Sequence, residues 1–516
     1  MKSTTKQEKH FRLKPFLFHR LAALVALLLV SAIVFTGCDN EVVPVGTETT
    51  QPANNHMPST DNALNVGYSE EDSLNPFFMT TDINSDIVSL VFEPLFYLDD
   101  SFMARNGLAV SYTQNATSLT VTLDTTAAFS DGVQFSSADV LYSFNMAKES
   151  AKYRNELSSF SSAAATAADT IVFTLKESQR NAVDSLTFPV VKSSTAGDKD
   201  AAPVGTGLYS YNLSGERIKL EYNPYCRKPQ PNIGIVNLMP ITSASTLIHT
   251  LELGTIDAFF DDFSQGSYSQ ANAQTARTNL SNLVFLGMNC NSYGLNTAEV
   301  RQSVYFSINR QAIAKESFKN YAVASAVPYH PEWHVLSESE ADISHLTLDY
   351  SSAKTLLKEA GVRGTVNYSL IVYSGNNFKV AAAKEIQKRL KNININVTIR
   401  ELTWDDYVFA LQNNAYDLYI GEIKLPGNMD MTSLFSKNSP VYGISGADTT
   451  DVAYAEFRNG NISIEAFMQS YLQNMPFAPI CFRLGALFYS DAITPAADCD
   501  INNAYKNVYE WDKIIP

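Results

Sequence analysis

Beyond residue 62 the apolar residues switch repeatedly between a spacing of two and a spacing near 3.6, and this confines the chain to α/β lobes. Leu119, Val121 and Leu123 alternate with Thr120, Thr122 and Asp124, which predicts a half-buried strand, and residues 171–175 predict another. Asp131-Gly132 makes a turn, and Ser136-Ser137-Ala138-Asp139 resembles a capping box before a helix over 140–148. Pro76 stops any helix at 74–77, whereas the apolar stretch 84–98 predicts one. Ser351 or Ser352 caps a helix that runs through Ala360 and ends at Gly361. Residues 379–391 predict a helix and Ile395, Val397 and Ile399 a strand, with Asn394 suited to the left-handed turn between them. The Ser, Ala and Thr of 161–170 leave little to bury and predict a surface loop.

The first residues lie outside this pattern. Lys2, Lys6, Lys9, Arg12, Lys14 and Arg20 form a basic leader, followed by an apolar run of 15 residues, 21–35, broken only by Ser31. That run is short for a spanning helix, and its flanks read as a secretory signal over 1–37. It ends in Phe35-Thr36-Gly37-Cys38, a lipobox-like ending with Phe35 where Leu is usual. Small residues before Cys38 admit a peptidase, and the Cys38 thiol takes a diacylglycerol, so that lipid anchors the chain. The alternative is an uncleaved anchor with an incidental cysteine. Either way the body is expected outside the cytoplasm. Residues 38–62, rich in Thr, Pro, Asn and Glu with no apolar period, predict a flexible tether.

Cleavage before Cys38 leaves 479 residues with 32 basic and 52 acidic side chains, a net charge of −20. That balance argues against nucleic acid and against broad adhesion to an anionic bilayer, and it suits a solvated acidic surface. The length exceeds what one core supports, so two or three lobes are expected. Cys226, Cys290, Cys481 and Cys499 have no metal-ligand spacing; they either form up to two disulfides or stay as buried thiols.

Catalytic signatures are absent or isolated. Ser351-Ser352-Ala353-Lys354 fits Ser-x-x-Lys without its companion motifs and reads as a helix start. His330 and His334 flank Pro331, which opposes a helix that would put both imidazoles on one face, so no metal site is assigned. Pro203-Val204-Gly205-Thr206-Gly207-Leu208-Tyr209 lacks the Gly-Lys-Ser/Thr ending of a phosphate loop and reads as a tight turn feeding a strand. No cofactor is implied. Trp404, Tyr407, Tyr416 and Tyr419 cluster near a strand end; such aromatics are core or line a cleft, and Trp404 and Tyr419 are kept as ligand candidates.

Several segments carry a family resemblance through their order. They are the lipidation cysteine, 129–148 (FSDGVQFSSADVLYSFNMAK), 203–209 (PVGTGLY) and 300–328 (VRQSVYFSINRQAIAKESFKNYAVASAVP). Together they resemble the extracellular solute-binding proteins of family 5, receptors of ABC importers for oligopeptides, dipeptides and nickel. The resemblance covers about 63–512. It implies an α/β fold of the type II periplasmic-binding-protein kind, with two large lobes, a hinge and an extra lobe. Lobe I would combine 63–86, 201–285 and 482–516, lobe II would be 87–200, and lobe III 286–481. Two strands near 283–289 and 479–484 would cross between the large lobes. Leu208 departs from the family's proline, and Asn309 stands where Asp is usual; Asn and Asp alike cap the next helix.

The most informative departure is at 416–435 (YDLYIGEIKLPGNMDMTSLF). It is similar to the family segment that runs into the cleft, where an Asp pairs with a peptide's α-ammonium. Lys424 aligns with that Asp. A lysine there repels a free N-terminus and attracts a carboxylate or phosphate, unless Glu422 neutralises it, it points to solvent, or Asp430 takes over the missing charge. The resemblance also places Asp82 and Asn84 at the cleft border, where both residues also suit helix capping. It implies a monomeric receptor for a peptide or other small polar solute that docks on a membrane permease. Two other readings stay open: a sensing lipoprotein that binds a signal peptide without import, and an enzyme at the cell surface.

Overall fold

Two long strands run antiparallel through the middle of the molecule. Gln274–Met288 pairs with Phe477–Tyr489 from Gln274 opposite Tyr489 to Gly287 opposite Phe477, with irregularities between Asn279 and Leu283 and at Val284/Phe285. The computed structural model describes residues 62–267, 272–435 and 448–514. Among them, these two strands belong to an eleven-stranded mixed sheet. On one side follow Leu418–Lys424, Val366–Tyr373 and Ile395–Leu402; on the other come Ala258–Asp261, Ala63–Tyr68, Ile235–Pro240, Lys219–Tyr222 and Tyr209–Asn212. Ala322–Ala324 pairs with Phe477–Tyr489 off this path. A separate four-stranded antiparallel sheet holds Ala109–Gln114, Ser118–Leu123, Thr170–Leu175 and Phe160–Ala167 in that order. Cys38 and residues 1–61 lie outside the described residues. Among those described, no helix is long and apolar enough to cross a membrane.

Local chemistry accounts for most elements. Ser118–Leu123 alternates partly exposed and buried residues as the sequence predicts. The helix Ser137–Glu149 starts at the expected capping box, with the Asp139 carboxylate accepting from the Ser136 N–H at 3.2 Å. Asn394 takes the left-handed conformation between the helix Asn377–Leu390 and the strand Ile395–Leu402. Asn309 caps the next turn, its side chain accepting from the Ala312 N–H at 3.0 Å. Cys226, Cys290, Cys481 and Cys499 are free thiols, three of them buried.

Three expectations need correction. Residues 161–170 are not a loop: Phe160–Ala167 is a strand whose backbone pairs with Thr170–Leu175, and its exposed small side chains suit a sheet edge. The helix expected over 84–98 spans only Asp82–Val91; Phe92 is extended, Pro94 follows, and Phe96–Leu98 is a strand. The helix Tyr350–Glu359 is capped by neither Ser351 nor Ser352 but by Asp349, whose carboxylate accepts from both their N–H groups at 2.9 and 3.1 Å. Asp349→Ala should therefore cost about 1 kcal/mol in a urea titration, and Ser351→Ala much less.

Candidate functional site

The helix Asp82–Val91 is fixed at both ends. At its start the Asp72 carboxylate accepts hydrogen bonds from the N–H and hydroxyl groups of Thr80 and Thr81, at 2.7–3.1 Å. At its end the Val91 carbonyl accepts from the Gly207 N–H at 2.9 Å. This holds Asp82 and Asp86 along one border of a cavity of about 590 Å³. Lys152 and Tyr153, Asp261 and Asp262, Asn282, Lys424 and Asp500 are among its polar groups, and Ile83, Phe92 and Leu280 among its apolar ones.

Asp82, Asp86, Asp261 and Asp500 hold their protons more tightly than usual. Burial and the neighbouring Asp82 push the Asp86 carboxyl well above the ordinary range, against a hydrogen bond of 3.3 Å from the Phe260 N–H. Burial raises Asp261 to about 6, although its carboxylate accepts from the Phe263 N–H at 2.7 Å. Asp82 is raised by burial and then by Asp262. Desolvation and the nearby Lys424 lower Lys152 to about 8. Lys152 is open to the cavity but walled in by protein, and this explains why an exposed side chain is so perturbed.

Behind Asn282 lies a buried ionic network. Glu422 accepts from Arg483 Nε at 2.5 Å and from Asn282 Nδ2 at 3.0 Å, and it pairs with Lys379 Nζ at 2.8 Å. Arg483 also approaches Asp262 Oδ2 at 3.6 Å.

Of the residues proposed from sequence, Asp82 and Lys424 line the cavity. The other four are placed elsewhere. Asn84 is fully buried, its amide bonded to the backbone of Ser69 and Ser73. Trp404 is 56 % exposed and stacks on Tyr407. Tyr419 is buried against Phe285 and Tyr416. Glu422 belongs to the network with Arg483 and Lys379, which takes up the carboxylate that sequence reasoning offered to Lys424. Asp430 is bonded to Tyr454 at 2.6 Å inside the fold. His330 is buried while His334 pairs with Asp184 at 3.1 Å, so the two imidazoles serve different surroundings. Lys152, Asp86 and Asp261 escaped sequence reasoning. The doublet Asp261-Asp262 after the apolar Ala258–Phe260 was a readable signal; Lys152 and Asp86 had none.

Known proteins resemble this chain in sequence and in fold. The family described as bacterial extracellular solute-binding proteins, family 5 Middle, matches residues 104–440. The glutathione-binding protein GsiB of Salmonella paratyphi A is 24% identical over 361 residues, 63% of this chain and 67% of its own. The chain superposes on the ABC transporter substrate binding protein CtaP from Listeria monocytogenes with a TM-score of 0.69 at 16% identity, covering 87% of this chain and 99% of that one. It also superposes on the oligopeptide-binding protein AppA from Bacillus subtilis, in complex with a nonapeptide, with a TM-score of 0.59 at 18% identity over 89% of this chain and 100% of the other. These two likenesses show a shared fold.

Proposed function

Because this chain belongs to the bacterial extracellular solute-binding proteins of family 5, we propose that its cavity captures a peptide or another small polar solute and presents it to an ABC permease. Its fold is the α/β fold of type II periplasmic binding proteins. The single observation that carries the reading is the cavity itself. It is concave, large enough for a small peptide, and lined by charged groups from segments far apart in sequence. Asp82 and Lys424 are the sequence-derived candidates that reach it.

The mechanism follows from this placement. The division into lobe I (63–86, 201–285, 482–516), lobe II (87–200) and lobe III (286–481) puts Asp82 in the first and Lys424 in the third. The paired strands Gln274–Met288 and Phe477–Tyr489 then act as the hinge. Only a solute that touches both sides better in the closed form than in the open form can drive closure. Lipidation at Cys38, with 38–62 as tether, keeps the monomer near its permease. No covalent step and no cofactor enters this scheme.

Mass spectrometry of the full chain, purified in mild detergent, tests the reading. Denaturation is expected to release a peptide or small polar solute, and adding that solute back at about a hundred times its Kd should stabilise the protein by about 2.7 kcal/mol. An empty protein that no peptide or small polar solute stabilises would count against solute capture.

A further inference from the structure

Two lysines line the same cavity, and among the described residues neither ammonium group is paired with a carboxylate. Lys152 follows the helix Ser137–Glu149, and Lys424 ends the strand Leu418–Lys424. Both line the cavity. Among the described residues, neither Nζ has a hydrogen bond or a carboxylate oxygen within 4.0 Å. The other cations around the cavity are engaged: Arg483 and Lys379 with Glu422, and Lys506 with Asp498 and Asp500. Glu156 feels Lys424, but its carboxylate accepts from the Gly427 N–H at 3.0 Å. Lys152 lies over the face of Tyr153, at 5.7 Å from the ring centroid, and feels Asp82, Asp86 and Asp262 only at longer range.

We propose that Lys152 and Lys424 together bind one carboxylate of the solute, and that they set the receptor's preference for a free peptide C-terminus. The inference rests on the solute-binding reading above and names the ligand chemistry of that same cavity. The two lysines fall in lobes II and III, so closing the empty cavity brings like charges together. A carboxylate between them converts that repulsion into two charge-assisted hydrogen bonds. This is a contact made in the closed form alone, which is what ligand-driven closure requires. The remaining lining limits the ligand further. Asp82, Asp261, Asp262 and Asp500 repel a second anionic group, so a single carboxylate fits and a polyanion does not.

Proton binding gives an independent readout. Lys152 faces Lys424, Tyr153 and the carboxylates of Asp82, Asp86 and Asp262. Its charge is lost as pH rises through about 8, so carboxylate binding should weaken between pH 7 and 9.

The test uses the full chain in detergent and a defined tripeptide pool in three end states: free, C-terminally amidated and N-acetylated. Calorimetric titration should show amidation weakening binding by about tenfold or more, the loss of a charged hydrogen-bonding partner. Lys152→Met and Lys424→Met should each bind the free pool about tenfold more weakly and discriminate less between free and amidated ends. Lys152→Arg, which keeps the charge, should retain the preference, and Lys152→Met should lose the weakening between pH 7 and 9. Equal binding of all three pools would leave the receptor reading intact and overturn the lysine pair, as would Met variants that still prefer the free end. Binding of none of the pools would sink the peptide reading itself, and this inference with it.

Discussion

Glu422→Gln is expected to destabilise the protein by about 3–5 kcal/mol at pH 7, because it leaves the buried Arg483 and the partly buried Lys379 without their shared anion. Glu422 stands on the strand Leu418–Lys424 opposite Val284, where three donors converge on its two oxygens. Arg483 is only 3% exposed and has nowhere to recover hydration. Its guanidinium also donates to the Asp262 carbonyl, and this ties the network to the loop after Ala258–Asp261.

The pH dependence of this effect is fixed by the same geometry. Burial alone would raise the Glu422 carboxyl, but Arg483 and Lys379 outweigh it and hold it at about 2, against 4.5 for an ordinary glutamate. A depressed folded value means the stabilisation is complete above about 4.5 and is lost as pH falls through 2. At about 1.4 kcal/mol for each unit, the ionisation accounts for about 3 kcal/mol at neutral pH and about half of that at pH 3. Denaturant titrations of wild type and Glu422→Gln at pH 7 and pH 3 check both magnitude and sign. A difference that grew on acidification would refute the assignment.

The network also marks where sequence reasoning stops. Lys379 and Arg483 lie far from Glu422 in the chain, and no spacing rule joins them. The nearest cation in sequence, Lys424, therefore looked like the natural partner. The cavity shows the same limit: Lys152, Asp86, Asp261 and Lys424 meet only because separate strands and helices bring them there. Elements set by local chemistry were legible, as at Ser118–Leu123, the Ser136 capping box and Asn394. Phe160–Ala167 was not, since an edge strand of small exposed residues is held by its neighbour's backbone and leaves no apolar pattern. Asp349 was missed because Ser351 and Ser352 offer capping chemistry too, two and three residues late. Lys424 was legible as a candidate because it departs from a family pattern, and that kind of signal survives where geometry cannot be read.

Gly207→Ala should lower stability by about 3 kcal/mol, and by more than a methyl group in an ordinary core position would, because the obstacle is backbone. A Cβ on Gly207 would lie 2.5 Å from the Val91 carbonyl carbon and 2.6 Å from its oxygen, with the Leu90 oxygen at 2.8 Å. Gly205 is tighter still, at 2.0 Å from the same Val91 oxygen. The turn therefore needs glycine for close approach to the end of the helix Asp82–Val91, where the Gly207 N–H satisfies a terminal carbonyl. Relief of the clash must move either the turn or the helix, and the helix carries Asp82 and Asp86 into the cavity. Gly207→Ala is thus expected to weaken solute binding as well as stability, although residue 207 does not line the cavity. Thr206 supplies the control between the two glycines. It is 1% exposed and its hydroxyl has no hydrogen-bond partner among the described residues, so Thr206→Val should be neutral or slightly stabilising. Midpoints from denaturant titration, with solute affinity measured on the same three proteins, separate the outcomes. A Gly207→Ala protein as stable as Thr206→Val would show that the turn yields freely and that its contact with Val91 does not position the helix.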